Sequence, residues 1–217
     1  MKNPYVLSYL ALRKIVGFLG ITFPVILILG AVAFGACKGF QDSISDYHNT
    51  SMRDVFVGLL SAIALFLFMY VAYDDIKDKI AAKVAGITGF MVAIFPDEID
   101  KNECAIQVLQ NIPQWMATVH FISATIFFLT LAYFSIFLFT KSNQLKKDQT
   151  PAKKKRNLIY RVCGYIMIAC ILFLLLYFKV PVIKANLPQF TVLFLETIAL
   201  WAFGFSWIVK GEAIIKG

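Results

Sequence analysis

Residues 15–37 read IVGFLGITFPVILILGAVAFGAC, a stretch without a single charged side chain. A helix needs about 20 consecutive apolar residues to cross the hydrocarbon core of a bilayer, so this stretch predicts a transmembrane helix. Further apolar runs follow, and short polar segments separate them. The predicted spans are residues 15–37, 54–73, 80–95, 117–140, 158–178 and 189–209.

The composition supports a membrane protein. The chain is 59% hydrophobic with a mean hydropathy of +0.73, which is more apolar surface than a globular domain of 217 residues can bury. The longest polar stretch, residues 141–156, is too short and too charged to build a core of its own. We therefore expect an all-α fold in which residues 1–217 form a single transmembrane domain, a polytopic bundle of six helices.

The positions of lysine and arginine predict how the bundle is oriented. With six spans, five of the 21 basic residues fall on one side, and all the others fall on the side that holds both termini. Because cytoplasmic segments retain positive charge, the N- and C-termini are predicted to be inside. The five basic residues of the outer side are Lys38, Arg53, Lys101, Lys179 and Lys184.

The net charge of +8 follows from this asymmetry and does not point to nucleic acid. Membrane lipids are the expected partners, and the expected location is multi-pass in the bacterial inner (plasma) membrane. The oligomeric state is left open by the sequence.

Polar residues that fall inside or beside the spans collect on the predicted outer face. They are Ser45, Asp46, His48 and Arg53 in the first outer loop, Asp97 after the third span, His120 in the fourth and Glu196 in the sixth.

Glu196 lies about two turns inside the sixth span, where an ionised carboxylate costs a few kcal/mol unless it is protonated, paired or hydrated. Its expected partner is His120 or Arg53, and such a pair could simply hold helices together. Alternatively, His120 could act as a general acid or base, with Glu196, Asp46 or Asp97 orienting it. We name His120, Glu196 and Asp46 as candidate catalytic residues.

A zinc site is a second possibility, because imidazole and carboxylate groups suit that ion. His48 and His120 would supply the imidazoles, but they do not stand in an H-x-x-x-H or H-E-x-x-H frame. The sequence therefore identifies neither a metal nor a cofactor. A proton or cation pathway is the third alternative, although the charged groups within the spans lie in the outer half only.

Two of the four cysteines, Cys37 and Cys104, fall on the predicted outer side, where disulfides persist. A disulfide between them and two unpaired thiols are both compatible with the sequence.

The first outer loop carries a local motif, Ser43-Ile44-Ser45-Asp46-Tyr47-His48-Asn49-Thr50, followed by Arg53-Asp54-Val55-Phe56-Val57-Gly58. This motif resembles the first outer loop of the DRAM/Sfk family of six-span proteins, which includes eukaryotic GPI-anchor lipid-remodelling factors. The chain also resembles related bacterial six-span families of unknown function. The resemblance continues through Gly86, Gly89, Phe95-Pro96-Asp97, His120, Phe127, Phe128 and Glu196.

The resemblance implies a lipid-related role at the outer leaflet, with Ser45, Asp46, His120 and Glu196 as the matching positions. His48 departs from the family, whose loop often has a small residue there. The predicted function is to bind a lipid or amphiphile at the outer leaflet, with Ser45, His48, Arg53 and Asp97 as binding residues, and a reaction on that lipid is left open. The alternatives are a non-enzymatic helper or receptor and a transporter of a small solute or ion, so enzymatic activity stays open.

Overall fold

The computed structural model describes residues 4–34, 39–71, 75–97, 113–142, 145 and 148–216, and the regular structure in these ranges is entirely helical. A short 3₁₀ turn, Ser45–Asn49, precedes the second helix, and π-helical residues Phe134–Leu138 extend the fourth. The α-helices are α1 Pro4–Phe34, α2 Arg53–Met69, α3 Ile76–Ile94, α4 Gln114–Tyr133, α5 Pro151–Lys179, α6 Pro181–Asn186 and α7 Thr191–Lys210.

Four segments of the described chain are long and apolar enough to cross a membrane. They are Ser8–Phe34 of α1, Gln114–Leu138 of α4 with its extension, α5 and α7. Helix α2 has 17 residues, and α3, with 19, begins among charged side chains. The all-α prediction is therefore confirmed for the described residues, and length and composition support four of the six predicted spans.

Two helices begin well before their predicted boundaries: α1 at Pro4 instead of residue 15, and α5 at Pro151, in the basic segment before the fifth predicted span. Residues 151–156 were predicted to belong to a loop, but they form the first turns of α5. The reason is local, because Thr150 is the N-cap and its Oγ1 accepts a hydrogen bond from the Lys153 amide at 3.2 Å. Pro151 occupies the first helical turn, where its missing amide proton costs nothing.

Small residues let the helices approach closely. A Cβ atom at Gly204 of α7 would lie 2.6 Å from the carbonyl oxygen of Gly17 on α1, and a Cβ at Gly86 of α3 would lie 2.7 Å from the Cα of Phe68 on α2. Close backbone approach through small residues is a common mode of helix packing in membranes. Gly86 is therefore a point of close approach between α2 and α3.

The long helices alternate in direction, so the bundle has two chemically different ends. At one, which we call the basic end, Lys141 pairs with Asp78 at 2.6 Å and Arg156 with Glu212 at 3.4 Å. The other, which we call the site end, holds the 3₁₀ turn, the first turns of α2, α4 and α7, and the last turns of α3 and α5. The polar residues grouped by the sequence lie at the site end.

Candidate functional site

The 3₁₀ turn at the site end is shaped by Ser43 and Asp46. Asp46 Oδ2 accepts a hydrogen bond from the Ser43 amide at 2.8 Å, and Ser43 Oγ accepts one from the Asp46 amide at 3.0 Å. This reciprocal pattern is that of a capping box, which satisfies the free amides at the start of a helical turn. Asp46 thus has a direct structural role in the loop.

His120 ties this turn to two helices. Its Nδ1 lies 2.7 Å from the carbonyl oxygen of Phe95, and its Nε2 lies 3.0 Å from Ser45 Oγ. Because a carbonyl oxygen can only accept, Nδ1 donates the proton, and the neutral ring then accepts a hydrogen bond from the Ser45 hydroxyl at Nε2. The side chain of His120 is 1% exposed, so this geometry is enclosed by protein.

Glu196 binds the same turn from the other side. Its Oε2 accepts a hydrogen bond from the Ile44 amide at 2.6 Å. The amides at the beginning of a helical turn have no partner within the turn, so this bond gives the Glu196 carboxyl group a hydrogen-bond donor at this depth in α7. In the described part of the chain no hydrogen bond or ion pair joins Glu196 to His120 or to the exposed Arg53. The two side chains instead bond to neighbouring residues of the turn, Glu196 to the Ile44 amide and His120 to the Ser45 hydroxyl.

Asp97 lies just beyond α3 and is 5% exposed. The side-chain amide of Asn49 donates a hydrogen bond to its Oδ1 at 3.3 Å. Burial, together with the nearby charges of Asp46 and Glu196, holds the pKa of Asp97 well above its usual range. The three carboxylates therefore influence one another electrostatically.

His48 is enclosed, and its ring makes a T-shaped contact with Phe56, with 5.6 Å between the ring centroids. Burial and the nearby Arg53 lower the pKa of His48 to about 4, so the ring is neutral at pH 7. Among the described residues, no three His, Cys, Asp or Glu side chains come together in a way that could hold a metal ion. The zinc alternative thus has no ligand set in this part of the chain. Cys37 and Cys104, the two cysteines for which a disulfide was considered, lie outside the described residues.

A cavity of about 300 Å³, which we call the acidic chamber, opens at the site end. Ser43, Tyr177 and Val192 contribute to its wall, and the polar groups most relevant to a ligand are Asp42, Asp46, Asp97, Glu196, Lys184 and Gln189. Gln189 donates a hydrogen bond to Asp42 Oδ1 at 2.8 Å, and the Leu193 amide donates one to the Asp42 carbonyl at 2.9 Å. These two bonds attach the start of α7 to the first loop.

A second cavity of about 380 Å³ adjoins the chamber and runs between α4 and α5; we call it the lateral groove. Its wall is mostly apolar, and Lys179, Lys184 and Glu196 contribute its charged groups. Phe121, Phe178, Lys184 and Glu196 line both cavities. The two cavities are therefore neighbours, and the outward faces of Phe121 and Phe178 are exposed on the side of the bundle.

Several residues that line these cavities were not predicted from the sequence to be site residues. Asp42 belongs to the first outer loop and Gln189 begins the sixth predicted span, but neither was named as a site residue, and Lys179 and Lys184 were considered only for topology. The one available signal was their position, because both lysines belong to the few basic residues of the predicted outer side. His120, by contrast, is not among the residues that line the chamber or the groove.

Comparison of the chain with protein-family models, curated proteins and solved structures gives no match. The resemblance to the DRAM/Sfk family remains a prediction, and the functional argument depends on the site alone.

Proposed function

We propose that this protein crosses the membrane six times, with both termini in the cytoplasm, and binds a lipid of the outer leaflet in the acidic chamber and the lateral groove. The observation that carries the proposal is the junction of the two cavities at Glu196 and Lys184. A polar cavity joined to an apolar one that opens on the side of the bundle matches the two halves of an amphiphile.

Six spans are supported by the way that α2 and α3 fit into the bundle. The Tyr9 hydroxyl of α1 donates to the carbonyl of Val71 just after α2 at 2.8 Å, and Lys141 after α4 pairs with Asp78 of α3. At the site end, Asn49 before α2 bonds Asp97 after α3. Both helices thus extend between the same two levels as their neighbours, and 17 residues of helix span about 26 Å.

The orientation predicts how cysteine variants react. In a background in which Cys37 and Cys104 are serine, we expect Ser51→Cys to react with a membrane-impermeant maleimide on intact cells. We expect Lys155→Cys to react only after the cells are permeabilised. Both positions are exposed, so access depends on the side of the membrane. Reaction of the Lys155→Cys variant on intact cells would show that the orientation is wrong.

Lipid binding can be tested by obstructing the lateral groove. Thr125 lines the groove, and its hydroxyl bonds only within its own helix, to the Phe121 carbonyl. We expect Thr125→Trp to reduce the lipid that co-purifies with the protein several-fold, as measured by native mass spectrometry, because the indole occupies the space of an acyl chain.

The chain offers a matched control on another face. A surface depression of about 490 Å³ between α5 and α7 is lined by apolar residues, among them the exposed Val162. Val162→Trp introduces the same indole outside the proposed site, and we expect it to leave lipid retention unchanged. If both variants retain the same amount of lipid, the lateral groove is not the binding site.

The structure gives less support to the alternatives. Ser45 lies beside a pocket of only about 40 Å³. This space is too small for a lipid ester group with its acyl chain, so in this conformation the contact between Ser45 and His120 positions the loop and does not act on a lipid. A transport path would have to cross the interior between the two ends. In the described chain, that interior is filled by buried apolar residues such as Leu60, Ile63, Phe127 and Leu131.

A further inference from the structure

The charges of the two cavities are arranged in a definite order. The apolar wall of the lateral groove comes first, formed by side chains such as Phe128, Leu174 and Leu175. Lys184 and Glu196 follow at the junction, and Lys179 also lines the groove. The carboxylates of Asp42, Asp46 and Asp97 lie beyond, in the acidic chamber.

From this order we infer that the ligand is a zwitterionic phospholipid with a primary ammonium in its headgroup, as in phosphatidylethanolamine. This inference rests on the lipid binding proposed above. An acyl chain lies in the lateral groove, the phosphate lies at Lys184 and Lys179, and the ammonium lies among the chamber carboxylates. Along such a lipid the acyl chain, the phosphate and the ammonium follow one another in the same order as the apolar wall, the lysines and the acidic side chains along the two cavities.

The chamber favours a cation over an anion. Among the residues that the structure describes, four acidic side chains and one lysine, Lys184, line it, and the raised pKa of Asp97 reflects its burial and the charges of Asp46 and Glu196. A ligand cation reduces this repulsion, whereas a headgroup that ends in neutral hydroxyls gives no such compensation. An anionic phospholipid therefore gains from the lysines but not from the chamber.

A primary ammonium suits the lining better than a trimethylammonium group does. It has three N–H donors, and the chamber offers acceptor oxygens from Ser43, Asp42 and Asp46. Quaternary ammonium groups lack donors and are typically bound by several aromatic faces. The three aromatic side chains that line the chamber pack on one another: Phe178 lies 5.6 Å from Phe121 and 5.4 Å from Tyr177 between ring centroids. They therefore do not form the facing walls of an aromatic cage.

The test uses the full-length protein in nanodiscs that contain phosphatidylethanolamine, phosphatidylcholine and phosphatidylglycerol in equal amounts and with identical acyl chains. After release into detergent, native mass spectrometry measures the lipid that stays bound. We expect phosphatidylethanolamine to be retained about tenfold over each of the other two, the ratio that ~1.4 kcal/mol gives.

Two variants probe the two headgroup contacts. Lys184→Glu changes an exposed residue of the short α6, and we expect it to reduce retention of phosphatidylethanolamine about tenfold because the phosphate loses its cation. Lys155→Glu reverses an exposed charge at the basic end and should leave retention unchanged. The double variant Asp42→Asn, Asp46→Asn should retain lipid while losing most of the preference for the ammonium headgroup.

Each outcome has a separate meaning. Equal retention of the three lipids by the wild-type protein, together with a loss of lipid in the Thr125→Trp variant, would overturn the headgroup inference and leave the proposed binding site intact. A lack of effect of Lys184→Glu would also overturn it. If Thr125→Trp has no effect on any lipid, the proposed function fails first.

Discussion

Replacing Gly204 by valine is expected to lower the melting temperature of the purified protein by about 5–10 °C, the shift that ~2–3 kcal/mol causes in a chain of this size. A Cβ at this position would lie 2.6 Å from the Gly17 carbonyl oxygen and 2.9 Å from the Ile21 amide nitrogen. Both are backbone atoms, so a rotamer change cannot make room and α1 must move away from α7. A fluorescence-based thermal unfolding assay in detergent measures the shift.

Gly58 of α2 provides the matched control. Among the residues that the structure describes, none outside its own helix has an atom within 4 Å of a Cβ built there, and valine has a higher intrinsic helix propensity than glycine. We expect Gly58→Val to unfold at or slightly above the wild-type temperature. If both valine variants lose the same stability, the contact between α1 and α7 is not as close as the structure has it.

The second large effect is expected at His120. His120→Ala removes the hydrogen bonds to Phe95 and Ser45 and leaves the Phe95 carbonyl without that donor in an enclosed place. Two lost bonds and one uncompensated acceptor together cost about 2–4 kcal/mol. We expect a lower melting temperature and, because the Ser45 turn carries the chamber residues Ser43 and Asp46, a several-fold loss of bound lipid.

His120→Asn and Ser45→Ala separate the two contacts. The asparagine amide nitrogen can take the place of Nδ1 and keep the bond to Phe95, so this variant should lose about half as much stability as His120→Ala. Ser45→Ala removes only the bond at Nε2. A double-mutant cycle between positions 45 and 120 should give a coupling energy of at least ~0.5 kcal/mol. Additive effects would show that the 3.0 Å contact contributes nothing to stability.

Much of the architecture could be predicted from the sequence, because a bilayer leaves few solutions. Backbone groups in hydrocarbon must be satisfied within the segment, so long apolar runs become helices. The segments between these runs then determine which residues meet at each end, which is why Asp46, Asp97, His120 and Glu196 were correctly predicted to lie on the same side of the bundle. The start of α5 was missed because a basic segment reads as a loop, whereas Thr150 and Pro151 begin a helix there.

The partners within the site could not be predicted in the same way. The hydropathy pattern predicts how far along α7 Glu196 lies. It does not predict which neighbouring helix or loop its side chain faces. That direction depends on the rotation of each helix about its axis, which is determined by side-chain packing such as the approach of Gly204 to Gly17. The expected pair with His120 is therefore replaced by a bond to the Ile44 amide.

Apolar length and charge position are properties of the chain, and they were sufficient to predict an all-α protein with apolar helices of membrane-spanning length and polar residues gathered at one end. The folded structure was needed to find that one chamber is lined by Asp42, Asp46, Asp97, Lys184, Gln189 and Glu196, and that an apolar groove adjoins it. These residues are far apart in the sequence. A cavity exists only where the surfaces of several packed helices fail to meet.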